Sequence, residues 1–254
     1  MKISPLLYHY AIFIVNHTVK MADYLHYFNT NAEFNNAIKN NYSEPWVSCI
    51  TGSSVEYNFP KYVDLGLPSG TLWMSMNVGA TAPYEAGPTF KWGEITPSTQ
   101  ADNYIYGNSA PYSKYNPTDG KTVLDLSDDV AYLTYEDDPK IPNGMFAHIP
   151  TPDQIVELRS NCRYSYIKNP GMTIYTSKTN GNKIIFPGEL KTNNTYPDYG
   201  IWSNTVNTNY ANHARVDAWF SDIESNAYVI VIEPVMRSAQ YSVRGVLNKL
   251  QIID

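Results

Sequence analysis

The densest run of chemically capable residues in this chain is acidic: Asp125, Asp128, Asp129, Glu136, Asp137 and Asp138. Carboxylates packed this closely can ligate Ca²⁺. The run lacks the alternating spacing and central glycine of a calcium loop, and helix N-terminal charge with a solvated acidic loop accounts for it at less cost. No metal site is expected. Histidine could supply a general base, but only His148 and His213 fall in the main body of the chain. No spacing joins either of them to a nucleophile and an orienting carboxylate. The two cysteines, Cys49 and Cys162, define neither a disulfide framework nor a metal centre. Cys162 falls on the apolar side of a helical pattern, which predicts a buried, inert thiol with no bond to Cys49. The expectation is a chain without catalysis and without a cofactor.

Recognition chemistry is better represented. The chain holds 22 Tyr against 8 Phe and 5 Trp, and asparagine crowds its turn-like stretches. Tyrosine offers a flat apolar body with a polar tip, and asparagine a donor beside an acceptor, the pairing that adaptable binding surfaces use. Strand preference for Tyr and turn preference for Asn explain the same composition. Both types concentrate in residues 191–215. There Tyr196, Tyr199, Asn204, Asn207, Asn209, Tyr210 and Asn212 are candidates to stack on sugar rings and to hydrogen-bond hydroxyls, although any one of them alone reads as an ordinary surface-loop residue. A net charge of −6 with no basic run argues against nucleic acid, which needs a basic face.

The elements that must hold these residues read as short helices and strands. Lys61–Leu65 opens the main domain, Pro68-Ser69-Gly70 turns it, and Thr71–Met74 returns as a strand. Residues 93–120, rich in Pro, Asn, Ser, Tyr and Gly, predict a long loop, either functional or mobile. Ser127 is the expected cap of a short helix, with Asp128 and Asp129 in its first turn. Thr151 is the expected N-cap of a second helix, with Pro152 at its first position and Gln154 closing a capping box. Ile155, Leu158 and Cys162 form the buried face of that helix. Met172–Ser177 and Lys183–Phe186 flank Asn180-Gly181, a strong hairpin signal. Val216–Ser221, Ala227–Glu233 and Tyr241–Leu247 read as strands. The nearly continuous apolar run of the second predicts a central strand covered on both faces. Arg244 on the last strand is expected to pair with a buried carboxylate or with carbonyls and so fix the sheet.

The order of these blocks resembles a known family. Val63-Asp64-Leu65-Gly66-Leu67-Pro68-Ser69-Gly70-Thr71-Leu72-Trp73 is similar to the opening signature of the Fibrobacter succinogenes major paralogous domain. Asn77–Thr81, Phe90–Glu94, Asp119–Leu124, Ile149–Thr151 with the helix to Cys162, Asn180–Asn182 with Phe186-Pro187, Trp202-Ser203, Ala218-Trp219 and Ser242–Arg244 follow in the family's order. Departures occur at Phe146–His148, Gly188–Leu190 and Gly245. The resemblance implies an α+β, C-type-lectin-like mixed domain over residues 60–254, with short helices and antiparallel strands and loops displayed by the C-terminal strands. It implies no common activity. The sugar signature of calcium-dependent lectins is not reproduced, since Glu233-Pro234-Val235 has Val where Asn is needed.

Residues 21–58 predict a small attachment or oligomerisation module. Thr30–Glu33 has capping-box form, and Phe34, Ala37 and Ile38 share a helical face too short to stand alone. Phe28–Phe34 followed by Tyr42–Ser48 resembles the lead-in of virion proteins of gut Bacteroidales phages. That resemblance implies a head-fibre or capsid-decoration protein on the virion surface. Phe28, Phe34, Ile38 and Trp46 are the attachment candidates, a homotrimer the first expected assembly, a capsid or other virion protein the partner, and host glycan or mucus the outward target. A secreted or cell-surface Bacteroidetes adhesin and a purely structural capsid-cementing protein are the alternatives. For residues 1–20 the readings stay open: a misassigned start with Met21 as the true one, a docking segment, or a signal peptide. The apolar run Leu6–Val15 is too short to span a bilayer, so no membrane span is expected.

Overall fold

A computed structural model describes residues 61–249, apart from Tyr84, Gln100, 168–171, 188–199, Ala214 and 225–226. The expectations for residues 1–58, including Phe28, Phe34, Ile38 and Trp46, lie outside it. The described elements run β1 (Tyr62–Asp64), β2 (Leu72–Asn77), α1 (Val130–Tyr135), β3 (Met145–His148), α2 (Pro152–Asn161), β4 (Cys162–Ile167), β5 (Met172–Ser177), β6 (Lys183–Pro187), β7 (Gly200–Asn207), β8 (Arg215–Glu224), β9 (Ala227–Met236) and β10 (Arg244–Lys249). They form three antiparallel sheets, ordered β1-β2-β10-β3, β4-β5-β6 and β7-β8-β9. The domain is thus a mixed α+β structure with few helices. Among the described residues, no helix is long and apolar enough to cross a membrane.

The first sheet divides the core. Successive side chains of a strand point to opposite faces. Trp73 and Val246 therefore enter one apolar cluster, with Ile155, Leu158, Tyr175 and Phe186. Met74 and Leu247 enter the other, with Trp92, Trp202 and the tyrosines of residues 104–115. Within this sheet β2 and β10 are buried on both faces. The apolar run of β9, expected at the centre of a sheet, lies at the edge of its own described sheet, and β8 holds the middle. An apolar run marks a strand but carries no information about its neighbours.

Local signals fixed the elements where they were strong. Thr151 Oγ1 accepts from the Gln154 amide at 3.2 Å, and Gln154 Oε1 accepts from the Thr151 amide at 2.8 Å. Ile155, Leu158 and Cys162 are buried beneath this helix, and Cys162 then leads straight into β4. The β5–β6 turn places Gly181 at φ 76°, where a side chain is disfavoured. The flanking Asn180 and Asn182 amides both donate to the Asp64 carbonyl, at 3.0 and 2.7 Å, tying the turn to β1. The first helix differs from expectation. Its cap is Asp129 rather than Ser127. Residues Leu126–Asp128 form a 3₁₀ turn, and Asp129 Oδ1 accepts from the Ala131 and Tyr132 amides at 2.9 and 3.0 Å. Asp129 also reaches the Ile149 amide through Oδ2 at 2.8 Å, a tertiary bond that the shorter serine side chain cannot add.

Candidate functional site

Strand β7 carries the first half of the described part of the Tyr/Asn-rich segment, and most of that half faces inward. Ile201, Trp202 and Ser203 are fully buried. The Trp202 indole donates to the Phe90 carbonyl at 2.7 Å, and the Trp92 indole donates to the Ser203 carbonyl at 2.8 Å. Register with β8 slips between Trp202 and Val206, a bulge that frees residues 203–205 to bond elsewhere. The Asn204 amide bonds the Pro150 carbonyl, its carbonyl takes the Leu124 amide, and its side-chain oxygen accepts from Thr205 Oγ1 at 2.7 Å. Asn204 is buried, so it anchors two neighbouring segments instead of facing a ligand. Polar composition placed it in a surface loop; the bulge turned it into the core.

Beyond Asn207 the chain emerges. The Asn207 side chain accepts from the Asn209 amide at 3.0 Å, and a 3₁₀ turn at Ala211–His213 leads toward β8. Asn209 and Asn212 are exposed, and Tyr210 is 37 % exposed. Asn212 and His213 both take left-handed backbone, at φ 55° and 51°. Asparagine and histidine are among the non-glycine residues that accept that conformation most readily. The Tyr210 ring lies 5.0 Å from the Arg215 guanidinium, which donates to the Pro234 carbonyl at 2.8 Å. Asn207, Asn209, Tyr210 and Asn212 are therefore brought together at one hairpin tip. Tyr196 and Tyr199 lie outside the described residues.

Underneath the tip sits a residue that the sequence did not single out. Arg237 is fully buried. Its Nη2 donates to the Lys114 carbonyl at 2.9 Å, Nη1 to the Tyr115 carbonyl at 3.1 Å, Nε to Tyr104 Oη at 3.3 Å, and a longer contact of 3.5 Å reaches the His213 carbonyl. The rings of Tyr112 and Trp92 face the guanidinium at 4.3 and 4.9 Å, with Tyr106, Tyr104 and Tyr115 inside 6 Å. Residues 93–120 are thus wrapped around a buried cation. They lack regular structure, but their tyrosines are core. The clue in the sequence was four tyrosines within this one stretch, which loop composition masked.

Four of the six acidic residues, Asp125, Asp128, Asp129 and Asp138, are taken up by neighbours. Asp128 Oδ2 accepts from Tyr106 Oη at 2.7 Å, from Tyr115 Oη, and from Lys114 Nζ at 2.5 Å. Burial alone raises the Asp128 carboxyl, but Lys114 and the two phenols outweigh it and hold the group below the usual carboxylate range. Burial also raises the Tyr104, Tyr106 and Tyr115 hydroxyls well above the ordinary phenol range, so they stay protonated as donors. Asp125 pairs with Lys114 and Lys121, and Asp138 with Lys61. Asp129 differs: burial pushes its carboxyl up to about 6 against the pull of three backbone donors. His148 Nδ1 lies 2.7 Å from the Ile149 carbonyl, which can only accept, so that nitrogen carries the proton. Burial lowers the pKa of its ring. Burial also raises the Cys162 thiol to about 11, and the thiol is free and inert. Arg244 takes the carbonyl option expected of it: it donates to Met74 and Ile185 carbonyls, both at 3.0 Å, and to Asn77 Oδ1. Among the described residues, no three His, Cys, Asp or Glu side chains are grouped to hold a metal ion.

The chain matches no family model, and no curated protein or solved structure is significantly similar to it.

Proposed function

We propose that residues 60–254 form a C-type-lectin-like display domain of the major paralogous type. In this reading it works without catalysis on the surface of a phage virion, as a head fibre or capsid decoration, and adheres to host glycan or mucus. Residues 21–58, through Phe28, Phe34, Ile38 and Trp46, attach it to a virion protein and assemble it as a homotrimer. The observation that carries the reading is the division of labour around Arg237. Charged and phenolic groups turn inward and fasten irregular segments to the core, while the β7–β8 tip turns Asn209, Tyr210 and Asn212 outward. A rigid base under an aromatic and amide-bearing tip suits binding of a polar, ring-shaped ligand, because ordering cost is met before the ligand arrives. The motif series supports the same reading: its turn, capping box, Asn-Gly hairpin, Trp202 and Arg244 all fall at structural joints.

A glycan array probed with the full chain tests the proposal. Retention on a defined set of glycans, lost in Tyr210→Ala and Asn209→Ala while the melting temperature stays within about 2 °C, is the expected result, since exposed substitutions change stability little. Retention unchanged in both variants would remove the tip from the reading, and an empty array would remove glycan adhesion and leave the cementing role.

A further inference from the structure

Arg215 opens β8 beside the tip, in register with Met236 of β9, which is 41 % exposed. Its Nη1 is committed to the Pro234 carbonyl at 2.8 Å, and its guanidinium lies 5.0 Å from the Tyr210 ring. Those two contacts fix the direction of the fork while using one of its five N–H donors. Ion pairs among the described residues involve Lys61, Lys114 and Lys121, so no described carboxylate neutralises Arg215. A held guanidinium next to a half-exposed tyrosine, with the Asn209 and Asn212 amides in the same turn, presents a fork for an oxyanion, a flat apolar face and hydroxyl partners together. Arginine in this setting binds carboxylate or sulfate through paired N–H donors. The sugar ring that carries such a group stacks on the aromatic face.

We infer that the Tyr210–Arg215 face binds acidic sugars, uronic or sulfated residues of a polysaccharide, in preference to neutral ones. This rests on the adhesion reading and narrows it to a ligand class. The chain's net charge of −6 opposes polyanions as a whole, so retention of one would have to come from a local site instead of from the overall field.

The test immobilises polygalacturonate, dextran sulfate and dextran and measures binding of the full-length protein at physiological salt. Wild type is expected on at least one acidic polymer with at least tenfold weaker binding to dextran. Polygalacturonate and dextran sulfate separate the carboxylate from the sulfate form of the ligand. Arg215→Gln should weaken acidic binding at least tenfold, Tyr210→Ala comparably, and Arg215→Lys should restore only part because an ammonium lacks the fork. Melting curves of all variants check folding, and Tyr210→Ala carries the test alone should the Arg215 variants melt early. Equal binding to dextran and dextran sulfate, or full acidic binding by Arg215→Gln, overturns the inference. Retention on neutral array glycans with none on the acidic polymers overturns it while leaving adhesion standing, and binding to nothing overturns both.

Discussion

Replacing Arg237 by methionine is the sharpest perturbation of the scaffold. Methionine fills much of the same channel between the rings of Tyr112 and Trp92, so the change isolates the guanidinium from its bulk. The lost contacts include short bonds to the Lys114 and Tyr115 carbonyls, at 2.9 and 3.1 Å, in a site with no solvent exposure. A buried acceptor left without a donor costs about 1–3 kcal/mol. Stacking of the cation on desolvated rings adds about 2 kcal/mol for the closest of them. Against this, the mutant no longer has to strip water from a charge, a gain of several kcal/mol. Two stranded carbonyls at about 4 kcal/mol together and the lost stacking at about 2 kcal/mol, against about 3 kcal/mol of relieved desolvation, leave a net loss of about 3 kcal/mol. At about 2–4 °C per kcal/mol for a domain of this length, the melting temperature should fall by about 10 °C.

Near-ultraviolet circular dichroism reads the tyrosine packing directly, and urea titration gives the free energy. Amide hydrogen exchange adds the location: protection should drop first in residues 112–116 and 207–213, which Arg237 ties together, while α2 and the β5–β6 hairpin keep theirs. Arg237→Lys should recover less than half of the loss, because one ammonium cannot reach carbonyls at 114 and 115 and the Tyr104 hydroxyl at once. A methionine variant within about 1 kcal/mol of wild type, or a lysine variant indistinguishable from it, would refute the view that the guanidinium holds these segments.

Asp129 gives a pH signature. Its carboxyl titrates at about 6 in the fold and about 3.9 in an unfolded chain, so between those values the native state holds the proton more tightly and rising pH costs stability, about 3 kcal/mol across the window. The acidic groups Asp125, Asp128 and Asp138, which are lowered in the fold, act below about pH 4 with the opposite sign. Urea stability of wild type relative to Asp129→Asn should therefore decline from pH 4 to 6.5, and parallel curves would contradict it. Gly93→Ala should destabilise by about 3 kcal/mol, since a Cβ there meets Tyr106 at 2.9 Å and Leu124 at 3.1 Å on a left-handed backbone. Gly70→Ala, equally left-handed but facing open space, should cost only about 1 kcal/mol, and equal urea midpoints for the two would count against the close approach at Gly93. Thr151→Ala should lower stability by about 1 kcal/mol through loss of the α2 cap, again read by urea midpoint.

What the sequence disclosed depended on how local its cause was. The α2 start, the Asn-Gly hairpin and the β1–turn–β2 opening are each specified by residues within a few positions of one another, and each was legible. Strands β8 and β9 were legible as strands, but their order was not, because pairing is decided by which partners lie alongside. Ser127 satisfied the same capping rule as Asp129, and only the distant Ile149 amide separates them. At the candidate site, Asn209, Tyr210 and Asn212 stand where a turn composition put them, whereas Asn204 was misplaced by a bulge that no short pattern announces. Arg237 was invisible for the strongest reason: its partners at 104, 112, 114 and 115 are more than a hundred positions upstream, and nothing adjacent to it hints at a cage.

The same arrangement explains how so much irregular chain stays ordered. Between β2 and the 3₁₀ turn at Leu126–Asp128, the described residues contain no helix or regular strand, so their backbone groups cannot satisfy one another in ladders. Scattered turns and isolated bridges pair some of them, and side chains take the rest. Lys91 donates to the Asp102 carbonyl, Asp119 accepts from the Tyr115, Asn116 and Lys121 amides, Tyr104 donates to the Trp92 carbonyl, and Arg237 gathers two more carbonyls. Where these bonds are buried, as at Tyr104 and Arg237, a substitution strands a polar group inside. The tip residues have no such obligation: the Asn209 and Asn212 side chains and the Tyr210 ring point outward, and their replacement leaves the buried bonds intact. Tolerance to change is thereby concentrated where a ligand would be met, and intolerance where the scaffold is fastened. A saturation library scored for folding should therefore be permissive at 209 and 210 and restrictive at 104, 129 and 237, and a library that scored the two sets alike would break the link between fastening and display.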